Sequence, residues 1–333
     1  MGDDVTAALR SNDRHLVDRV RRLCVLAGVR LEVVATGGEP PAAAVLLLDD
    51  RTDRTARPWR DTAPARQVVE LGGGERPLHL PRDAETLLDV LSRTGAPRRA
   101  VVVGVLGAVG GVGASALAAV LARLAVVAGR TTALVDGDPA GGGLDILLGI
   151  EHDPGPRWSD LLAERGGFPP DRLMAALPAW HGVRLLSGDV RGGVDPHHRA
   201  AVDAVTALGR AADAVVLDLP RSLLTPDGAR GVLAQCDGVV LVTGCDTRSA
   251  AAATAAVAAL GDAPSQLVVR GPAVGTLLPD DVAEACGLPL AAVLRAERAF
   301  TAGVERGLSP GDQRRGPLVA AGRRLLPLVG LAA

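Results

Sequence analysis

Lysine does not occur in the 333 residues, so each of the 36 basic side chains is an arginine. Tyrosine is missing too, and phenylalanine occurs twice. A coding bias toward alanine and arginine produces such a composition, and it turns a needed Lys into Arg, not into Ala. Cysteine is sparse: Cys24, Cys236, Cys245 and Cys286 are widely spread and form no C-x-x-C pair. That argues against a disulfide or metal framework and suits a reducing cytoplasm. The net charge of −2 gives no general argument for nucleic acid as a partner. No apolar run of about 18 residues escapes interruption by charge, so no membrane-spanning helix is expected. The opening "MGDDVTAALRSNDRH" carries too much charge for a signal peptide. His197 and His198 are adjacent, but "GDVRGGVDPHHRA" reads as a loop and not as a metal site.

What is present fits a globular chain of two domains, with 48% hydrophobic residues. A Gly/Pro/Arg-rich joint, "RTGAPRRA" at 93–100, separates two patterned regions. The expected domains are therefore 1–95 and 96–333. In the first, "VTAALR", "LEVVA", "AAVLLLDD" and "ARQVVELG" read as strands or connections. "RHLVDRVRRLCVLAG" reads as an amphipathic helix with Leu16, Val20, Leu23 and Leu26 on one face, and "DAETLLDVLSRTG" as a closing helix. This order resembles a response-regulator receiver, with Asp49 or Asp50 where a phospho-acceptor would stand. The rest of that chemistry is thin. Only Asp13 follows the first strand to help hold a metal, and no lysine follows the last. The expectation is a pseudo-receiver with a vestigial acidic site, used for docking.

Beyond the joint, apolar strand patterns alternate with helical ones: "AVVVGVLG", "TTALVDGD", "VRLLSGD", "DAVVLDLP", "DGVVLVTG", "SQLVVRG" and "LPLAAVL" are the strands. Continuous Val/Leu runs suit strands covered by helices on both faces. The fold class is α/β, a doubly wound and mostly parallel sheet.

Three acidic or glycine-rich sites fall at strand ends, where open α/β sheets bind ligands. In "GAVGGVGAS" the glycines Gly110, Gly111 and Gly113 permit close backbone approach, and the amides of the following residues point at phosphate from a helix N-terminus. Ser115 supplies a hydroxyl where Mg2+ needs one. "ALVDGDPAGGGLD" places Asp136 and Asp138 after the next strand, and "DAVVLDLPR" ends an apolar strand on Asp218, as a Walker B acid does. A phosphate-binding loop normally ends in Gly-Lys-Ser/Thr; here Ala114 stands in the lysine's place.

Together these motifs resemble the ParA/MinD division of P-loop ATPases, whose loop reads K-G-G-x-G-K-S/T. "VGGVGAS" at 109–115 matches every glycine and the final serine, while Val109 and Ala114 replace the trans and cis lysines. The resemblance runs over about residues 100–310, through "CDGVVLVTGCDTRSAAAATAAV" and "GLPLAAVLRAERAFTAGVERGLSP". The lysine-poor loop and the receiver-like front domain look most like CpaE/TadZ proteins and their actinobacterial septum-site-determining relatives. The resemblance implies binding of ATP or ADP with Mg2+ by Gly110, Gly111, Val112, Gly113, Ala114, Ser115 and Ala116. It implies Mg2+ held through water by Ser115, Asp136 and Asp218, and Asp138 as the water-orienting acid. Arg270 falls where relatives place an Asn against adenine. A homodimer is implied, acting as a positional organiser for septum placement or Tad-type pilus assembly. Turnover should be slow or absent, because phosphoryl transfer normally takes Lys, Arg and Mg2+ together; Arg221 is a candidate substitute.

Two other readings stand beside this one. A nucleotide-independent scaffold with a vestigial site would explain both missing lysines. A dinucleotide-binding oxidoreductase is suggested by "GVGASA" and by Asp136 as a ribose acid, but it leaves Asp138 and Asp218 unexplained. The tail "GPLVAAGRRLLPLVGLAA" faintly resembles an amphipathic membrane helix, and residues 295–324 carry seven Arg against three acids. Membrane or DNA contact by this basic region is weighed against a helix docked on the sheet, and docking is the expectation. Recruitment by protein partners through residues 1–95 then follows.

Overall fold

The computed structural model describes residues 6–27, 29–34, 43, 45–49, 67–72, 78–95, 100–164, 167–225, 231–261, 263–271, 276–297 and 300–332. Asp50 lies outside them. The chain forms two compact units, Met1–Arg98 and Arg99–Ala333, each with its own sheet.

In the first unit the strands are β1 (Thr6–Arg10), β2 (Arg30–Val34), β3 (Val45–Asp49) and β4 (Gln67–Leu71), all parallel, in the order β2-β1-β3-β4. Helix α1 (Arg14–Ala27) turns Leu16, Val20 and Cys24 inward at i, i+4, i+8, the spacing of one helical face. That face meets Ala7, Leu9, Val45, Leu47, Leu87 and Leu91, the last two from α2 (Ala84–Gly95). Val25 and Leu26 remain exposed, so Leu26 is not part of the inward stripe expected from the sequence.

The second unit has an eight-stranded sheet. Its strands are β5 (Val101–Gly107), β6 (Thr132–Asp136), β7 (Ala179–Trp180), β8 (Val183–Leu186), β9 (Ala214–Leu219), β10 (Gly238–Gly244), β11 (Ser265–Arg270) and β12 (Leu290–Leu294). The order is β12-β11-β10-β5-β9-β6-β8-β7, and only the β7–β8 pair is antiparallel. Strand β5 sits centrally, and its side chains alternate between two cores as the two-residue period of a strand requires: Val102 and Leu106 on one face, Val103 and Val105 on the other.

Helix α3 (Ala114–Val127) lies on the second of these faces and is apolar nearly all round, with Leu117 and Leu121 fully buried. Each buried leucine contributes about 2–3 kcal/mol. A helix apolar on every side needs cover on every side, and that cover comes from the chain's last helix. Besides α3, the described residues form α4 (Leu144–Leu148), α5 (Trp158–Ala163), α6 (Pro170–Ala176), α7 (Arg199–Ala211), α8 (Thr247–Leu260), α9 (Pro279–Cys286), α10 (Phe300–Val304) and α11 (Pro317–Leu328). Helix α11 buries Leu318, Val319, Ala321 and Leu325 against α3 and β12, and Leu331 beyond it is also fully buried. Gly322 marks the closest approach, since a Cβ there would lie 2.8 Å from Leu124 and 2.9 Å from Val120. The apolar side of the tail is therefore spent on the domain's own core, while Arg323 and Arg324 face solvent. No helix among the described residues is long and apolar enough to cross a membrane.

Candidate functional site

Topology brings the strand-end residues together. β9 and β10 flank β5 on opposite sides, so the chain reverses direction across the sheet there, the place where a crevice opens at the carboxyl ends of parallel strands. Asp136 and Asp218 are direct register partners at the ends of β6 and β9, and Val105 of β5 lies opposite Asp218 on its other side. Ala108 donates its amide to Val242 of β10 (2.8 Å), anchoring the start of the glycine loop. Gly107 is required by crowding: a Cβ there would come within 2.8 Å of the Val109 carbonyl. Gly111 and Gly113 have φ of 73° and 94°, the left-handed region that side chains disfavour. Gly113 is also the residue from which α3 starts.

A Cβ on Gly110 or Gly111 would meet no protein atom within 4 Å. The loop is thus an open cradle above a helix N-terminus, with room for a ligand against its backbone. The Ser115 hydroxyl, in the first turn of α3, faces the Asp218 carboxylate. Burial, with Asp136 and Asp138 nearby, pushes the Asp218 carboxyl up to about 7, and the Ser115 hydroxyl opposes the rise. The almost wholly desolvated Asp218 carboxylate and the Ser115 hydroxyl are oxygen groups of the kind a hard divalent cation takes. Ser115, Asp218 and the open cradle fit Mg2+ with a phosphate ligand.

Asp136 does a different job. Its Oδ1 accepts the Asp138 amide (3.1 Å), and its Oδ2 accepts the Leu144 amide (3.0 Å), Ser187 Oγ (3.1 Å) and the Gly188 amide (3.4 Å). Its carbonyl accepts Trp158 Nε1 at 2.6 Å. Burial raises its carboxyl, and these bonds oppose the rise. Asp136 therefore holds the 137–144 loop and the 187–188 turn, and it leaves little for the ribose contact that the oxidoreductase reading needs. Asp138 is half-buried and takes the Ala140 amide on Oδ1 (3.0 Å).

A buried ion pair supports this corner. Arg157 Nε donates to Asp145 Oδ2 at 2.9 Å, and its other nitrogens reach the carbonyls of Gly155, Ile150 and Asp153. Ser187 joins this pair to the site, because its Oγ also accepts the Asp145 amide (3.2 Å). Sequence reading missed Asp145, Arg157, Trp158 and Ser187. The one local signal was an Arg-Trp pair after Pro-Gly-Pro, in "PGPRWSDLLAERG".

The two positions where the resemblance expects lysine are apolar in environment as well as in identity. Val109 and Ala114 are half-buried and pack on the core that holds α3. Val112 is buried, and Ala116 lies inside α3. Arg270, at the end of β11, reaches the loop itself: Nη1 donates to the Gly111 carbonyl at 2.6 Å. Arg221 begins a short 3-10 turn after β9 and is exposed.

In the first unit, Asp49 is fully buried at the end of β3 and accepts Ser11 Oγ at 2.6 Å. Asp13 precedes α1 and accepts the amides of His15 (2.9 Å) and Leu16 (3.3 Å) on Oδ1, an N-cap. No group of three or more His, Cys, Asp or Glu arranged for a metal occurs among the described residues.

Two curated Mycobacterium tuberculosis proteins, Rv3660c of strain H37Rv and MT3760 of strain CDC 1551, are both described as uncharacterized. Each is 38% identical to the chain over 339 residues, covering 94% of it and 95% of the relative. The chain belongs to their family. No family model matches. Among solved structures, the second unit's architecture is that of ParA and MinD ATPases. Similar folds are a ParA family ATPase from Chlorobium tepidum (17% identity, 68% of this chain and 97% of that one, TM-score 0.52) and MinD of a MinC:MinD complex from Aquifex aeolicus (18%, 68% and 96%, 0.55). A third is the septum site-determining protein MinD with Mg-ADP from Pyrococcus horikoshii (16%, 68% and 95%, 0.53). At these identities the likeness is one of fold.

Proposed function

We propose that this protein binds ATP or ADP with Mg2+ in the glycine cradle and hydrolyses it slowly or not at all. On this reading it is a MinD- or CpaE-like positional organiser for septum placement or Tad-type pilus assembly. One observation carries the reading: the Ser115 hydroxyl faces the buried Asp218 carboxylate at the start of the helix that follows a loop whose Gly110 and Gly111 leave open space. Bound Mg2+ would neutralise phosphate charge there. Gly110, Gly111 and Gly113 would let the backbone approach phosphate, Ser115 and Asp218 would hold the metal, and Asp138 would orient water. Asp136 keeps the surrounding loops in register. The MinD structure from Pyrococcus horikoshii is a complex with Mg-ADP, which supports this choice of ligand.

Weak turnover follows from Val109 and Ala114, which bring no charge to a transferring phosphoryl group. A homodimer fits the reading, as do partner proteins engaged through residues 1–95. In the Aquifex structure MinD is in complex with MinC. The buried Asp49 and the capping Asp13 favour a docking role for that unit over a phosphorelay role.

Equilibrium binding of Mg-ATP tests the reading. Wild type should bind at micromolar concentrations, and Gly111→Val should abolish binding by filling the cradle and straining a left-handed residue. Ala114→Lys should tighten it. Equal affinity in wild type and Gly111→Val would refute the site. A second reading, the nucleotide-independent scaffold, is favoured by the packing of Val109 and Ala114 into the core. It predicts no binding by wild type at all.

A further inference from the structure

Arg270 occupies an unusual place. It ends β11, two strands from β5, with Gly244 of β10 as its register partner on one side and Leu294 of β12 on the other. From there its side chain crosses to the glycine loop, where Nη1 meets the Gly111 carbonyl and lies 3.9 Å from a Cβ built on Gly113. The residue is exposed, and it forms no salt bridge with an acid among the described residues. A guanidinium has five N–H donors in a fixed fork. One of them bonds the loop carbonyl, so the others stay available at the rim of the cradle.

An arginine with no carboxylate partner among the described residues, pinned on a glycine loop that has neither lysine, is a cation placed for phosphate. We propose that Arg270 supplies, from another strand of the same chain, the positive charge that the loop itself lacks, by contacting the phosphates of the bound nucleotide. This rests on the nucleotide reading and gives Arg270 a different role from adenine recognition. The chemistry is favourable because guanidinium–phosphate contacts are charge-assisted and form bidentate pairs. The Gly111 bond orients the fork in advance, which lowers the ordering cost on binding.

The test measures Mg-ATP, ADP and AMP affinity by calorimetry for wild type, Arg270→Ala, Arg270→Gln, Arg270→Lys and Arg270→Ala/Ala114→Lys, with thermal unfolding as the folding check. Arg270→Ala should weaken ATP binding by roughly 10- to 100-fold and AMP binding much less. Arg270→Gln, which removes the charge but keeps an amide donor on a shorter side chain, should be nearly as weak. Arg270→Lys should recover part of the loss, and restoring a lysine at position 114 should recover more. Equal losses for ATP and AMP would overturn the proposal in favour of a base contact. A Gln variant that binds like wild type would overturn it in favour of loop positioning. Unchanged ATP affinity in Arg270→Ala, with wild type binding normally, overturns this proposal alone. Failure of wild type to bind any of the three nucleotides overturns the nucleotide reading with it.

Discussion

At the scale of single residues, burial of Asp218 has a consequence measurable without ligand. Its carboxyl sits near 7 in the fold, against about 3.9 in an unfolded chain. Folding thus favours the protonated form. The stability this confers is complete below about pH 4 and is lost as pH rises through 7, a change on the order of 4 kcal/mol at most. Asp136 shifts in the same direction. In Mg2+-free buffer, the urea midpoint of wild type should fall between pH 5 and pH 8. Asp218→Asn should flatten that fall while losing Mg2+-dependent nucleotide binding; an unchanged slope would show that Asp218 is not the group responsible. The Arg157–Asp145 pair makes a sharper claim. Arg157→Ala leaves a carboxylate buried without its partner and should cost about 3–5 kcal/mol in denaturant unfolding. A joint replacement of both by apolar residues should cost much less. Glycines and acids of the site were legible from sequence because each sits beside its own strand. The Arg157, Ser187 and Asp136 network was not, because it joins positions as far apart as 136 and 187 with no periodic pattern.

Elements differ in legibility for a related reason. The long strands of the second unit follow their apolar patterns to within two or three residues. Helices α4, α5 and α6 run for only 5, 6 and 7 residues, too short to display a 3.6-residue period. Between elements, the crossing of α11 over α3 depends on Gly322. Gly322→Leu should destabilise by roughly 1–3 kcal/mol through overpacking, read as a lowered melting temperature. Gly322→Ala should be milder, since better helix propensity offsets part of the clash. Because α11 already buries its apolar side, deleting residues 316–333 should expose the α3 core and unfold the unit, with no specific loss of binding to anionic vesicles.

Across the whole molecule, Val109 bears on assembly. A valine packed against its own core has no charge to offer a partner's nucleotide, so any dimer should respond weakly to ATP. Light scattering with and without Mg-ATP measures this, and a sharp nucleotide-driven switch from monomer to dimer would contradict it. The sheet order also sets a sequence of events in time. In the first unit, pairing joins segments within residues 6–71. In the second, Val101 of β5 lies opposite Ala214 on one side, and Val103 lies opposite Gly238 on the other. Distant pairings of this kind slow folding, since long loops must close before any contact rewards them. On the ribosome, the glycine loop emerges more than a hundred residues before the strands that flank it. During synthesis β5 waits as an apolar strand with both edges bare, the state in which a nascent chain is most open to aggregation or chaperone capture.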